Sequence, residues 1–251
     1  PQSGSDASNM KTFAEKNGNK FIVNGTKNWV TSGENSDLII FFCKTEKGAG
    51  SKGISAFIIE KGTPGLTTGK KEEKLGIRAS DTCELYFDNC EIPESNLIGN
   101  LGQGFSIAMQ ALGGGRIGIA SQSVGLARAA LDKTISYSRE REQFGQLIAK
   151  FGAIQNKIAD MATNIEAARL LVMQAAILKD QGKEYIKESS MAKLFASSTA
   201  MSAATECVQV HGGYGYMQEY GVERLMRDAK ITEIYEGTSE IQRLVISREL
   251  L

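Results

Sequence analysis

The chain has 251 residues, with 29 lysines and arginines against 29 aspartates and glutamates, and 41% of it is hydrophobic. Zero net charge leaves no electrostatic footprint for nucleic acid or an anionic membrane surface, and this apolar content builds a core rather than a disordered chain. Cys43, Cys83, Cys90 and Cys207 show neither a CxxC pair nor metal spacing and read as free buried thiols, while the single histidine, His211, excludes chemistry needing two.

Short β-rich runs come first. In 21–30, Asn24-Gly25 between two β-prone stretches predicts a hairpin turn. Residues 38–45, 54–60 and 83–87 are predicted strands, with a turn at Gly62, Pro64 and Gly65. No β-helix-β repeat intervenes, so this part reads as antiparallel β. No continuous apolar run approaches the ~18 residues of a membrane helix, so no membrane span is expected.

After Pro93 and the glycines at 99, 102 and 104 the pattern turns helical. Residues 105–139 predict a helix interrupted at Gly113, Gly114 and Gly115. Ile154, Ile158, Met161, Ile165, Ala168 and Val172 fall on one helix face, and Gln181-Gly182-Lys183 ends that helix. Further helices are predicted over 184–210, 222–227 and 239–248. Long striped helices with short connections imply an antiparallel bundle. The expected fold is α+β, with a β-domain over 1–95 and a helical domain over 96–251.

Gly113-Gly114-Gly115-Arg116-Ile117-Gly118 satisfies G-x-G-x-x-G, with Asp132 near the usual acidic position. A dinucleotide fingerprint needs a strand before it, and the preceding residues read as helix. The motif is rejected on that context. The small residues instead let something approach the backbone beside Arg116.

Four clusters can carry chemistry, and each also has a plain structural reading. Trp29-Val30-Thr31-Ser32 offers an aromatic and two hydroxyls for a flat ligand, or a core Trp before a turn. Arg139 to Gly145 offers a phosphate clamp, or a solvated charge run. Gln209-Val210-His211-Gly212-Gly213 offers an approachable backbone, or only a helix stop. Glu236, between Tyr235 and Gly237, is either a general base with a carboxyl raised by desolvation or a helix-entry acid before Thr238-Ser239-Glu240.

In order along the chain, 1–7, 28–33, Lys74-Leu75-Gly76-Ile77-Arg78-Ala79-Ser80, Gly115-Arg116-Ile117-Gly118-Ile119-Ala120, 141–145 and 226–243 closely resemble the acyl-CoA dehydrogenase family, nearest its short-chain (butyryl-CoA type) and short/branched-chain members. The resemblance covers essentially the whole chain. It implies a barrel-like middle β-domain and a C-terminal four-helix bundle, with the family's N-terminal helical domain absent from this chain. It implies FAD as cofactor, an acyl-CoA substrate, electron-transferring flavoprotein as electron acceptor, and a homotetramer. The product would be the trans-2-enoyl-CoA. By resemblance, Trp29, Val30 and Thr31 meet the isoalloxazine; Arg141, Phe144 and Gln209, Val210, His211, Gly212 and Gly213 contact FAD across a subunit boundary; Thr238, Ser239 and Glu240 complete that site. Ser5, Gly113, Gly114, Gly115 and Arg116 line the acyl-CoA path, and Gly237 helps hold the thioester.

The same resemblance makes Glu236 the α-proton base, with hydride passing to flavin N5. Some members carry the base just before the Arg of the Gly-Arg pair; here Leu112, Gly113 and Gly114 cannot serve. Departures stand at Gly113, where many relatives have Asp or Asn, and at Gly152, where Gln is frequent. The alternatives are a non-catalytic fragment that folds, oligomerises or binds a partner, and an acyl-CoA oxidase that passes electrons to oxygen. No metal is expected. The expected compartment is the bacterial cytoplasm, with the mitochondrial matrix as the alternative.

Overall fold

A computed structural model describes residues 3–251; Pro1 and Gln2, which open the first motif, lie outside the described residues. The chain divides into two compact units, residues 1–74 with 78–111, and residues 75–77 with 112–251.

The first unit holds, among the described residues, a seven-stranded sheet. Its strands are β1 (Phe13–Asn17), β2 (Lys20–Thr31), β3 (Leu38–Lys44), β4 (Ile54–Glu60), β5 (Leu66–Thr68), β6 (Thr82–Pro93) and β7 (Leu97–Ile98), in the order β5-β6-β2-β1-β3-β4-β7. The sheet is mixed, which corrects the antiparallel expectation. Because β6 already occupies the other edge of β2, β3 takes the free edge of β1 and runs parallel to it, Phe13 facing Lys44. Every other pair is antiparallel.

The sheet curls. Phe21 on β2 and Phe57 on β4 stand three strand spacings apart, about 14 Å in a flat sheet, yet their ring centroids are 5.0 Å apart. Phe41 on β3 and Phe87 on β6 repeat this at 4.8 Å. Those four rings, with Val23, Ile59, Leu85 and Ile92, make the core that the curl encloses. The four free cysteines are all buried; burial pushes the Cys43 thiol up to about 12.

The expected turn at Asn24-Gly25 is also corrected. β2 runs straight through it with a register shift against β6, and the hairpin turn lies earlier, between β1 and β2. Gly25 has φ 139°, and a Cβ there would lie 2.7 Å from the Thr12 Cα. The glycine marks a bulge and a close backbone approach rather than a chain reversal.

The helices are α1 (Gly104–Glu140), α2 (Gly152–Asp180), α3 (Ile186–His211), α4 (Val222–Thr232) and α5 (Ser239–Leu250). Residues 104–111 of α1 count with the first unit and the rest with the second. α1 is continuous through its three glycines, where the sequence reads as interrupted. In the second unit Ala127, Ala130 and Leu131 of α1, Met161 and Ile165 of α2, Ala200, Ala203 and Ala204 of α3, and Leu225 and Ala229 of α4 share one core. Alanine at so many of these positions lets the helices approach closely. Met161, Ile165 and Ala168 of the predicted stripe are buried.

Among the described residues α2 alone is long and apolar enough, by length and composition only, to cross a membrane, a test that the core helix of a bundle also meets. Leu170, Met173 and Ile177 along it are exposed.

Candidate active site

Glu236 sits in the short connection between α4 and α5, held in a turn its own sequence disfavours. Glu236 has φ 55° and Gly237 φ 89°, so a non-glycine residue occupies the left-handed region beside a glycine that adopts it freely. The connection is anchored on both sides. The Tyr235 hydroxyl donates to Gln122 Oε1 on α1 at 2.6 Å, and the Ser239 N–H donates to the Glu233 carbonyl at 3.0 Å. Thr238 caps α5, its Oγ1 accepting from the Ile241 N–H. Gln242, fully buried on α5, donates from Nε2 to the Glu236 and Gly237 carbonyls at 3.0 and 2.9 Å.

The carboxylate lies against the glycine face of α1. A Cβ at Gly115 would meet Glu236 Oε2 at 2.4 Å, one at Gly113 would meet Ile186 Cδ1 at 2.8 Å, and one at Gly114 would reach Lys179 Nζ at 3.5 Å. The three glycines therefore accommodate side chains from α2, from the start of α3 and from the Glu236 turn. Burial pushes the Glu236 carboxyl above the ordinary range, against the pull of the Arg116 and Lys193 charges. Arg116 is buried, donates to Ser190 Oγ at 3.2 Å, and its Nε has no hydrogen-bond partner among the described residues. Glu236 is thus a half-buried carboxyl before α5, raised by burial.

A second cluster forms a groove of about 470 Å³ lined by Tyr137, Arg141, Val210, His211, Gly212 and Tyr214, among others. α3 ends at His211, and Gly212 turns the chain with φ 60°. The His211 ring stacks on Tyr137 at 4.2 Å, and the Arg141 guanidinium lies 5.6 Å over the Tyr214 ring. Beside the groove β8 (Glu142–Gln143) and β9 (Gln146–Leu147) form a hairpin with Phe144 and Gly145 at its tip, both at positive φ. Phe144 is 94% exposed.

A third cluster lies within the first unit. Ser3, Gly4, Ala7, Lys11, Thr26 and Trp29 line a cleft of about 500 Å³. Trp29 has φ 58° and is 71% exposed, so it is not the core tryptophan its composition suggests. Val30 packs on the core and Thr31 is exposed. The loop after Thr31 is gripped by Asp81, which accepts from the Glu34 N–H at 3.0 Å and from Asn35 Nδ2 at 2.9 Å. Ser5 is exposed and does not line the cleft.

The motif around Gly76 is placed too. Ile77 N–H donates to Asp228 Oδ1 at 2.6 Å, Arg227 donates to the Leu75 carbonyl at 2.8 Å, and a Cβ at Gly76 would lie 2.4 Å from the Arg227 carbonyl oxygen. Two motifs separated by about 150 residues in the chain thus meet.

Two family models divide the chain between them. One, described as the acyl-CoA dehydrogenase C-terminal domain, matches residues 102–251; the other, described as the middle domain, matches residues 1–90. The chain belongs to the acyl-CoA dehydrogenase family. Acyl-CoA dehydrogenases are FAD-dependent oxidoreductases. An acyl-CoA dehydrogenase of Bacillus subtilis (strain 168) is 55% identical over 251 residues, all of this chain and 66% of that relative. Among solved structures, butyryl-CoA dehydrogenase from Megasphaera elsdenii is similar with a TM-score of 0.98 and 50% identity. A chain in a structure described as the electron transferring flavoprotein of Acidaminococcus fermentans is similar with a TM-score of 0.99 and 53% identity. Each of these alignments covers all of this chain and 66% of the other. The chain therefore spans just under two thirds of the length of these relatives.

Within this acyl-CoA dehydrogenase chain, sequence reading missed Lys193, Gln242, Tyr235 and Asp81, which hold the turns carrying Glu236 and following Trp29. One signal was available for Lys193. It falls among Ser189, Ser190, Ala196, Ser197 and Ala200, a run of small buried residues in which a lysine is out of place.

Proposed function

We propose that the protein is a short-chain acyl-CoA dehydrogenase that oxidises the thioester to its trans-2-enoyl-CoA, with Glu236 as the base that removes the α-proton. The observation that carries this reading is the Glu236 turn. A half-buried carboxyl is pushed up by desolvation, as a general base near neutral pH requires, and it is fixed over a helix face made of glycines. The Glu236 backbone N–H has no protein acceptor among the described residues, leaving it for the substrate carbonyl, whose developing negative charge such a donor stabilises. Gly237, Arg116 and the Gly113–Gly115 face are assigned to the thioester and its path, and Ser5 to the acyl-CoA substrate.

The residues fit FAD. The Tyr137, Arg141 and Gly212-Gly213 groove offers aromatic faces, a cation and approachable backbone, which suit a dinucleotide bearing a pyrophosphate. Gln209, Val210, His211, Thr238, Ser239 and Glu240 are assigned to the same cofactor, and Trp29, Val30 and Thr31 to its ring system. When bound, FAD supplies the hydride acceptor at N5. The exposed, positive-φ Phe144 at a hairpin tip suits a partner subunit's cofactor better than its own groove. With the exposed α2 side chains, it supports a homotetramer.

We take residues 1–95 as the middle β-domain and 96–251 as the helical domain, a boundary bracketed by the two family matches. Electron-transferring flavoprotein is the proposed acceptor, in keeping with the structural likeness above, and the bacterial cytoplasm the proposed compartment; fractionation of the source cells tests the latter. The catalytic reading is tested by mixing the full-length, FAD-loaded protein anaerobically with butyryl-CoA. The yellow colour should bleach, and Glu236→Gln should slow bleaching by about 10³-fold or more. A Glu236→Gln protein that bleaches at the parent rate refutes the base assignment, and steady peroxide formation in air without an added acceptor would make the enzyme an oxidase instead.

A further inference from the structure

Lys193 is fully buried on α3, among serines and alanines that cannot neutralise it. A lysine removed from water needs acceptors for its protons or an opposite charge. Its one hydrogen bond among the described residues runs across the bundle: Nζ donates to the Gly237 carbonyl at 2.7 Å. That carbonyl also accepts from Gln242 Nε2 at 2.9 Å, and the same amide reaches the Glu236 carbonyl. Two fully buried side chains from two helices thus converge on two consecutive carbonyls, both belonging to residues with positive φ.

We propose, resting on the reading of Glu236 as the base, that Lys193 is a positioning residue for the reaction: its hydrogen bond fixes the Glu236–Gly237 turn, and its charge keeps the base in the carboxylate form. The turn conformation decides where the Glu236 side chain points, and the space over Gly115 leaves that carboxylate little freedom. A slip of the Gly237 carbonyl would swing it away from that face.

The charge acts in the same place. Glu233, Glu236 and Glu240 face Lys193 from the α4–α5 connection and the first turn of α5, and Arg116 faces it from α1; Tyr185 lies near Arg116. Burial draws the ammonium down to about 8, against the pull of Glu233, Glu236 and Glu240. Removing this cation leaves Arg116 alone to offset the desolvation of Glu236, so the carboxyl rises further.

The test uses the full-length protein with [δ-¹³C]glutamate, Glu236→Gln identifying the signal. In Lys193→Gln the Glu236 carboxyl should titrate about one pH unit higher than in the parent. The acid limb of flavin bleaching by butyryl-CoA should move up with it. In Lys193→Arg, which keeps the charge, both should stay at parental values. Unmoved titration in Lys193→Gln overturns the proposal, whatever happens to the rate, because a purely structural lysine changes stability and not this signal. If Lys193→Gln does not fold, the parent and Lys193→Arg decide. The parent signal should carry a second inflection as Lys193 loses its proton, arginine should abolish it, and persistence of that inflection overturns the coupling. Failure of the base reading looks different: Glu236→Gln would bleach normally while the carboxyl still responded to Lys193.

Discussion

Gly115 on α1 and Glu236 in the α4–α5 connection share one volume: a Cβ on the glycine would stand 2.4 Å from Oε2 of the carboxylate. The glycine is required by the position of the base, since no heavy atom can be added there without moving the other group.

Gly115→Ala should therefore keep the helix and displace the carboxylate. Alanine is the better helix former, so circular dichroism should show the fold retained. Bleaching by butyryl-CoA should slow by about 10- to 100-fold, because a shift of about 1 Å at a reacting group costs this much. Retained fold with an unchanged rate would mean the carboxylate acts from elsewhere.

Glu236 should also show in the pH dependence of stability. Its folded-state carboxyl is raised, chiefly by burial. Between the unfolded value and the raised one, the folded protein binds more protons than the unfolded protein, so stability falls as pH climbs through that window. Glu236→Gln removes the penalty. Thermal melts at pH 7 should place the variant above the parent, and the gap should close as pH drops below the ordinary carboxylate range.

Asp81 has the opposite sign. The Asn35 side chain and then the Glu34 N–H hold its carboxyl below the usual value. Its contribution is present above the unfolded-state value and lost as pH falls through the folded one. Asp81→Ala should free the loop after Thr31, read as faster amide exchange at Glu34 with the strand β6 amides unchanged. Unaltered exchange at Glu34 would show that other bonds hold this loop.

Phe144 combines near-complete exposure with φ 52°. Phe144→Asn should relieve backbone strain, since asparagine tolerates this region better than phenylalanine. If Phe144 serves a partner subunit's cofactor, the variant should nevertheless lose FAD on gel filtration, read as a lower ratio of flavin to protein absorbance. Full flavin retention would remove Phe144 from the cofactor site.

Gly25→Ala tests the bulge in β2. With φ 139° and the Thr12 Cα at 2.7 Å from a new Cβ, both strain and overlap are introduced. Urea unfolding should show a loss of about 1–3 kcal/mol.

How much of this was legible in advance differs by element. The α2 stripe from Ile154 to Val172 gave its helix and buried face, because one period of 3.6 residues fits no other structure. Asn24-Gly25 misled for the converse reason. Its dipeptide preference is local, and the close approach of Thr12, just before β1, uses the same glycine differently. The rejection of the Gly113 to Gly118 motif as a dinucleotide loop rested on its helical context, and the structure gives helix there. The space over its three glycines is taken by Ile186, Tyr185, Lys179 and Glu236, none of them near in sequence.

The sequence by itself determined the family, the β-then-helix order and the candidate residues, because motifs and periodicity are properties of short stretches. Only the tertiary structure decided that the sheet is mixed and curled, that Trp29 and Phe144 stand exposed, and that Lys193 and Gln242 grip the turn of Glu236. Those outcomes depend on which distant segments share one volume and on what burial does to a charge. Neither is written in any single stretch of the chain.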